Sequence, residues 1–335
     1  MTLGRGRADC GVRTALLLLC TSLLAQAQPV ARTVIAHRGA SGHLPEHTLE
    51  AVAMAHALGA EYIEQDVVIS RDDVPVVLHD VHLDTVTDVA TRFPDRRRAD
   101  GRWYALDFDL AELKQLRVTE RFHAKTGKQV FPQRFPIWQG RFEIPTLEEE
   151  LELIAGLNHS TGRVAGIYPE IKKPAWHRAQ GHDPSPIVLA VLRKHGYQNK
   201  DDDCFVQCFE HAEVQRLRHE LGWQGRLIQL LGGGAKGEDG TDFQHLRTPA
   251  GLAELARTAD GIGPAIASVL EGDSPVQRRV TALVANAHRA GLRVHPYTVR
   301  ADELPKCVAS AAELLRALFD EAGVDAVFSD FPGIR

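Results

Sequence analysis

The chain is poor in cysteine, carries no excess of positive charge and has no apolar run of ordinary membrane-spanning length. Five cysteines in 335 residues are too few for a disulfide-stapled scaffold. Cys10 and Cys20 lie near the N-terminus, which leaves Cys204, Cys208 and Cys307 in the body. An odd number in an exported chain requires a free thiol or a bond between molecules. Cys204 and Cys208 share one strand-like run and cannot bridge each other without breaking it. The net charge of −5 argues against sequence-blind nucleic-acid binding, which needs a basic face. No G-x-G-x-x-G follows the first strand-like run. The glycines Gly232-Gly233-Gly234, Gly237 and Gly240 precede no Lys-Ser/Thr, so neither nucleotide fingerprint is present. There is also no mid-chain linker of the kind a two-lobed solute receptor would carry.

The N-terminus has the three parts of a secretory signal. Arg5, Arg7 and Arg13 form a positive region, Thr14 to Leu24 is apolar, and Ala25-Gln26-Ala27 is a cleavage site. A signal peptide is expected over 1–27, with the mature chain, one domain over 28–335, starting at Gln28. The apolar run is too short for an ordinary span, so no stable membrane insertion is expected. The expected location is periplasmic or secreted. Cys20 does not read as a lipidated residue, because Leu18-Leu19 before it are not small. Loss of the segment, net +2, takes the charge to −7.

At 44% hydrophobic and 25% charged, the rest is ordinary for a globular enzyme. Strand-like runs occur at Thr33–His37, Tyr62–Ile69, Pro75–His79, Gly166–Ile171, Cys204–Cys208, Arg226–Leu230, Asp260–Gly263, Arg293–Thr298 and Asp325–Ser329. Amphipathic helical patterns lie between many of them, at Thr48–Leu58, Thr146–Leu157, Pro186–His195, Val280–Ala290 and Ala309–Ala322. Thr146 and Glu149 are spaced as a capping box. Alternation over the whole chain predicts a parallel sheet, and about eight units point to closure into an α/β TIM barrel. Nine runs are one too many. Residues 70–74 are too short for a parallel crossover, so either one strand is extra or the barrel is irregular there. Residues 81–144 break the rhythm and read as an insertion after the third strand, over the face where barrel active sites lie.

Four short clusters carry the chemistry. Glu64 and Asp66 are two apart on one strand and share a face. Inside a barrel such neighbours are costly, and a hard divalent cation, Ca²⁺ or Mg²⁺, would resolve the conflict. The alternative is that both face solvent. The apolar Val67-Val68-Ile69 favours a strand buried on both faces. Glu170 and Lys172 repeat the spacing, as a third carboxylate ligand and a phosphate ligand, or as a surface ion pair worth little. His37 and His79 each end a strand beside a charged residue. Phosphodiester cleavage needs a base for the nucleophile and an acid for the leaving oxygen, and histidine suits both. Arg38 offers a two-point grip on phosphate. His43 and His47 lie near enough to matter. Tyr297 is placed to wall the pocket, or equally to fill the core.

Several stretches together resemble the glycerophosphodiester phosphodiesterases. They are Ala36-His37-Arg38-Gly39-Ala40-Ser41-Gly42 with Leu44-Pro45-Glu46-His47-Thr48, then Glu64-Gln65-Asp66, Val76-Val77-Leu78-His79-Asp80 and Tyr168-Pro169-Glu170-Ile171-Lys172. Gln207-Cys208-Phe209, Asp260 to Pro264, His295 to Arg300 and Ser329-Asp330-Phe331-Pro332 continue the resemblance in order. It is similar in particular to the periplasmic bacterial type with a long insertion after the third strand. The resemblance implies an irregular TIM barrel and a Ca²⁺-dependent hydrolase. Such an enzyme releases an alcohol and sn-glycerol 3-phosphate from deacylated phospholipids such as glycerophosphocholine and glycerophosphoethanolamine. Carried over, Glu64, Asp66 and Glu170 are metal ligands, His37 and His79 the acid–base pair, and Arg38 and Lys172 phosphate ligands. The usual assignment makes His37 the acceptor and His79 the donor, which the sequence does not separate. It also leaves open water attack against a cyclic intermediate, and oligomeric state, a homodimer included. A phosphatidylinositol-specific type of phospholipase would need an exposed apolar rim, which the polar insertion disfavours. A secreted binding protein on the same scaffold would be expected to have lost site residues, and all are present.

Overall fold

The structure, a computed structural model, describes residues 1, 2, 4 and 32–334. Apart from Met1, Thr2 and Gly4, the expected signal segment and the Gln28 start lie outside the described residues. Eleven strands follow in order: β1 Thr33–Ala36, β2 Tyr62–Ile69, β3 Pro75–Val77, β4 Gly166–Ile171, β5 Phe205–Cys208, β6 Arg226–Leu231, β7 Gly261–Pro264, β8 Leu270–Glu271, β9 Arg279–Val280, β10 Arg293–Val294 and β11 Ala326–Ser329. Eight are parallel, in the order β10-β7-β6-β5-β4-β2-β1-β11. The chain after β10 closes the ring on β11. Val299 N donates to Phe328 O at 2.8 Å and Phe328 N to Pro296 O at 3.0 Å. This is a nearly closed α/β barrel.

The extra strand is β3. It pairs antiparallel with β2, Val67 opposite Val77 and Ile69 opposite Pro75. The five-residue link that is too short for a crossover is a hairpin turn, in which Ser70 N donates to Val74 O at 3.0 Å. The hairpin has a chemical consequence: Leu78 N donates to Asp66 O at 2.8 Å, so the next residue, His79, emerges at the barrel rim beside Asp66.

Alternation along each strand sorts the side chains into two sets. Ile63, Val67, Ile167, Ile171 and Val206 pack outward with Leu147, Leu151 and Ile154 of the helix Leu147–Thr161. Ile35, Tyr168, Phe205, Ile228 and Phe328 pack together inside as an apolar layer. On the same inward faces, one pleat closer to the C-terminal ends, stand Glu64, Glu170 and Gln207. This is the stacked filling of a small parallel barrel, with its chemistry in the top layer.

The Thr146–Glu149 capping box forms, Glu149 N donating to Thr146 Oγ1 at 3.1 Å. The helix expected from Val280 starts later, at Leu283, because Arg279–Val280 pairs with Leu270–Glu271 as a small hairpin. Ala311–Arg316 continues as a π-helical turn to Ala322. Residues 81–144 fold over the top with a core of their own. Leu83, Phe108, Leu113 and Ile144 are buried with Val68 and Val76 of the hairpin. The three cysteines of the body are free and buried. No helix among the described residues is long and apolar enough to cross a membrane.

Candidate active site

The top layer is assembled from five strand ends. His37 follows β1, its amide donating to Ser329 O at 3.0 Å. The chain then turns through two left-handed residues, Arg38 at φ +59° and Gly39 at φ +73°. A Cβ at position 39 would lie 2.8 Å from the Ala51 carbonyl carbon, so glycine is required both for the turn and for contact with the helix Leu49–Ala57. This close packing aims the Arg38 amide at Glu64, donating to Oε2 at 2.7 Å.

The carboxylates meet by register. Asp66 on β2 is opposite Glu170 on β4, and Glu170 is opposite Gln207 on β5. Glu64 and Asp66 are 2% and 1% exposed, which excludes the solvent-facing alternative. Lys172 Nζ lies 2.8 Å from Glu170 Oε1 and 3.4 Å from Asp66 Oδ1. Burial and the neighbouring Asp66 push the Glu64 carboxyl well up, and burial holds Glu170 at about 8 despite Lys172. Burial works against ionising Asp66 too, but Lys172, His79 and His47 pull its carboxyl well below the usual range. Asp66 Oδ1 makes no hydrogen bond among the described residues. Crowded buried acids, two of them pushed toward their protonated forms, beside a buried carboxylate oxygen that makes no hydrogen bond, fit a hard divalent cation.

The sequence left His47 unassigned, and the structure brings it in. Its ring lies 2.8 Å from Asp66 Oδ2 through Nε2. Ligand atoms of His47, Glu64 and Asp66 lie within 4.8 Å of one another. Glu170, the third ligand expected from the sequence, stands beside this cluster with its carboxyl on Lys172.

The two histidines are built alike. His37 Nδ1 is 2.6 Å from Asp330 Oδ1, and His79 Nδ1 is 2.8 Å from Asp80 Oδ1. Both aspartates are held ionised: although burial opposes it, His37, Arg300 and Arg134 act on Asp330, and His79 and Arg121 on Asp80. Each therefore accepts, each Nδ1–H donates, and each neutral ring presents a bare Nε2. Burial and Arg38 lower His37 to about 4, and burial, Arg38 and Lys172 lower His79 to about 3.

Both rings line a cavity of about 120 Å³ with Arg38, Asp66, Glu170, Tyr297 and Arg300. Tyr297 is a wall, its hydroxyl donating to Leu231 O at 3.1 Å. A larger groove of about 530 Å³ adjoins it, sharing Glu170 and Phe209, with Trp176, Phe243 and Lys173 among its walls.

These displaced groups make stability depend on pH in opposite directions. The stability that neutral His37 and His79 contribute is present above pH 6.5 and lost as pH falls toward 4 and 3. Glu170 and Glu120, at about 8, keep protons that the unfolded chain releases. That stability is present at acid pH and lost as pH rises from 4.5 through 8. Across pH 6.5 to 8 the carboxyl groups dominate. The metal-free protein is expected to lose Tm across that window, and a saturating divalent cation, which prefers the ionised carboxylates, to reduce the loss. A metal-free Tm that rises there contradicts the assignment.

A family model for the glycerophosphoryl diester phosphodiesterase family matches residues 37–334. The chain is 42% identical to a glycerophosphodiester phosphodiesterase of Haemophilus influenzae, over 90% of this chain and 88% of that one. It is 37% identical to one of Treponema pallidum, over 97% and 94%. In fold it is similar to an Oleispira antarctica phosphodiesterase solved with the product sn-glycerol-3-phosphate (TM-score 0.60, 23% identity, 90% and 94% covered). The barrel ends that gather His37, Glu64 and His79 lie within the matched span, and the chain belongs to the glycerophosphoryl diester phosphodiesterase family, enzymes that cleave glycerophosphodiesters.

Proposed function

We propose that this enzyme acts outside the cytoplasm on water-soluble glycerophosphodiesters such as glycerophosphocholine and glycerophosphoethanolamine, releasing the alcohol and sn-glycerol 3-phosphate. The observation that carries the reading is the pair of aspartate-held histidines lining one cavity with Arg38, Asp66 and Glu170, the two carboxylates on which Lys172 rests. Glu64, Asp66 and Glu170, with His47 at Asp66, would hold the divalent cation, Ca²⁺ with Mg²⁺ as the alternative. The chemistry such an ion supplies is acidification of the nucleophile and compensation of phosphoryl charge.

The residues divide the remaining work. Arg38 and Lys172 receive the phosphodiester anion. One bare Nε2 takes the nucleophile's proton, and the other histidine must carry a proton for the leaving oxygen. His79 is taken as donor and His37 as acceptor, the assignment that the family resemblance implies. Burial holds both rings neutral, Arg38 acts on both, and a second cation acts on each, Lys172 on His79 and Arg300 on His37. The adjoining groove has room for alcohols of different size, which favours broad headgroup tolerance. The exposed large apolar side chains among the described residues, beyond Met1, are Trp138, Val164, Val276 and Val280. They come from three stretches of chain, with only Val276 and Val280 near each other in sequence, and so do not suggest the continuous rim a lipid-cleaving enzyme would use.

Phosphorus NMR of the products is the test. Both diesters are expected to give sn-glycerol 3-phosphate and the free alcohol, and intact phosphatidylcholine to remain uncleaved. A phosphorylated alcohol with free glycerol would overturn the reading.

A further inference from the structure

We propose that residues 81–144 are a working part of the catalytic centre, in which Arg121 and Arg134 are positioning residues for the two histidines. The inference rests on His37 and His79 being the acid–base pair.

Each orienting aspartate uses one oxygen on its histidine and the other on an arginine of the insertion. Asp80 Oδ2 accepts from Arg121 Nη1 at 2.7 Å. Arg121 also donates to Glu46, through Nη2 at 2.5 Å and Nε at 3.1 Å, and Glu46 accepts from Arg38 Nη1 at 3.1 Å. On the other side Asp330 Oδ2 accepts from Arg134 Nη2 at 2.7 Å. Arg134 is anchored on Asp302, Nε to Oδ2 at 2.8 Å, and its guanidinium lies 3.7 Å from the centre of the Phe131 ring. The Arg134 side chain is 5% exposed and that of Arg121 is 18% exposed. Arg300 Nε adds a second donor to Asp330 Oδ2 at 3.0 Å.

A carboxylate held at both oxygens has one orientation, and a ring bonded to it inherits that orientation. The arginine also shares the aspartate's charge, so each histidine is steered without being fully charged by its partner. Arg121 further joins the His79 side to Arg38, the phosphate ligand, through Glu46. The pattern occurs twice, on separate stretches of the insertion. A loop that merely covered the barrel would have no reason to place an arginine on each orienting carboxylate.

The test compares Arg121→Gln, Arg134→Gln and Arg134→Lys with Arg117→Gln. Arg117 also belongs to the insertion, but its guanidinium donates to backbone carbonyls of Trp138 and Gly140, with no hydrogen bond to either orienting aspartate among the described residues. Each glutamine variant at 121 or 134 is expected to lose roughly 10–100-fold in kcat. KM should stay within about threefold in Arg134→Gln, since ring placement matters in the transition state more than in binding. It should rise further in Arg121→Gln, where Glu46, which holds Arg38, also loses its Arg121 partner. Lysine at 134 restores the charge without the two-point fork and should recover part of the loss. Arg117→Gln should stay within about twofold of wild type, measuring the cost of disturbing the insertion alone. Near-wild-type kcat in both glutamine variants, or an equal loss in Arg117→Gln, overturns the inference. A readout independent of turnover is the proton resonance of His37 Nδ1–H. Its displacement in Arg134→Gln supports positioning, and an unchanged signal overturns it. Absence of turnover in the wild type would instead refute the functional reading while leaving this resonance to decide.

Discussion

Replacing Asp66 by asparagine is expected to lower kcat/KM by about a thousandfold. Cation chemistry supplies several kcal/mol of charge stabilisation, at about 1.4 kcal/mol per factor of ten in rate. Asp66 is the centre of the cluster: His47 is bonded to one oxygen and Lys172 faces the other. Its ionised charge is also what helps keep Glu64 protonated. Asparagine keeps the shape but removes the anionic ligand, so calorimetric binding of Ca²⁺ should be lost together with activity. Because Lys172, His79 and His47 hold Asp66 ionised, its charge stabilises the metal-free fold at neutral pH, and the metal-free variant is expected to fold but to melt lower than the metal-free wild type. A variant that keeps most of its activity or its cation affinity would place the metal elsewhere.

Removal of either histidine is the second large effect. His37→Ala and His79→Ala should each lose about 10²–10⁴-fold in kcat, the range of general acid–base catalysis. The double variant should lose less than the product of the two, because both groups act in one step. The roles separate by leaving group. A glycerophosphodiester of p-nitrophenol needs no acid, since the phenolate departs unaided. His79→Ala should recover most of its activity on that substrate, and His37→Ala should not. The reverse pattern would exchange the two assignments, and equal losses on both substrates would deny that either residue is a dedicated acid.

The fold and the inner residues were legible because they follow from local periodicity. A two-residue spacing puts Glu64 and Asp66 on one face whatever the fold, and the apolar run after them marks that strand as buried. The nine strand-like runs are barrel strands and one hairpin arm. The short link at 70–74 flagged the irregularity without showing that β3 turns back on β2. The small hairpin of β8 and β9 escaped because two-residue strands leave no period to read.

What lies around the reacting groups was less legible, since it depends on contacts between distant stretches. Asp330 reaches His37 across 293 positions, a pairing fixed by barrel closure. Arg121 and Arg134 stand in a stretch without strand or helix rhythm, and nothing in their neighbours distinguishes them from Arg117. His47 had a signal in its adjacency to Glu46 and its position ten residues after His37. What was missing was the left-handed turn at φ +60° that accompanies its approach to Asp66. Local pattern named the groups proposed to meet substrate, and tertiary closure supplied those that hold them.

The most direct test is turnover of glycerophosphocholine by the purified enzyme, treated with excess chelator and then resupplied with Ca²⁺ or with Mg²⁺. The account predicts that chelation abolishes release of sn-glycerol 3-phosphate, that a divalent cation restores it, and that Asp66→Asn is not restored by either. Full activity in excess chelator would contradict the cation-centred account, whatever the histidines do.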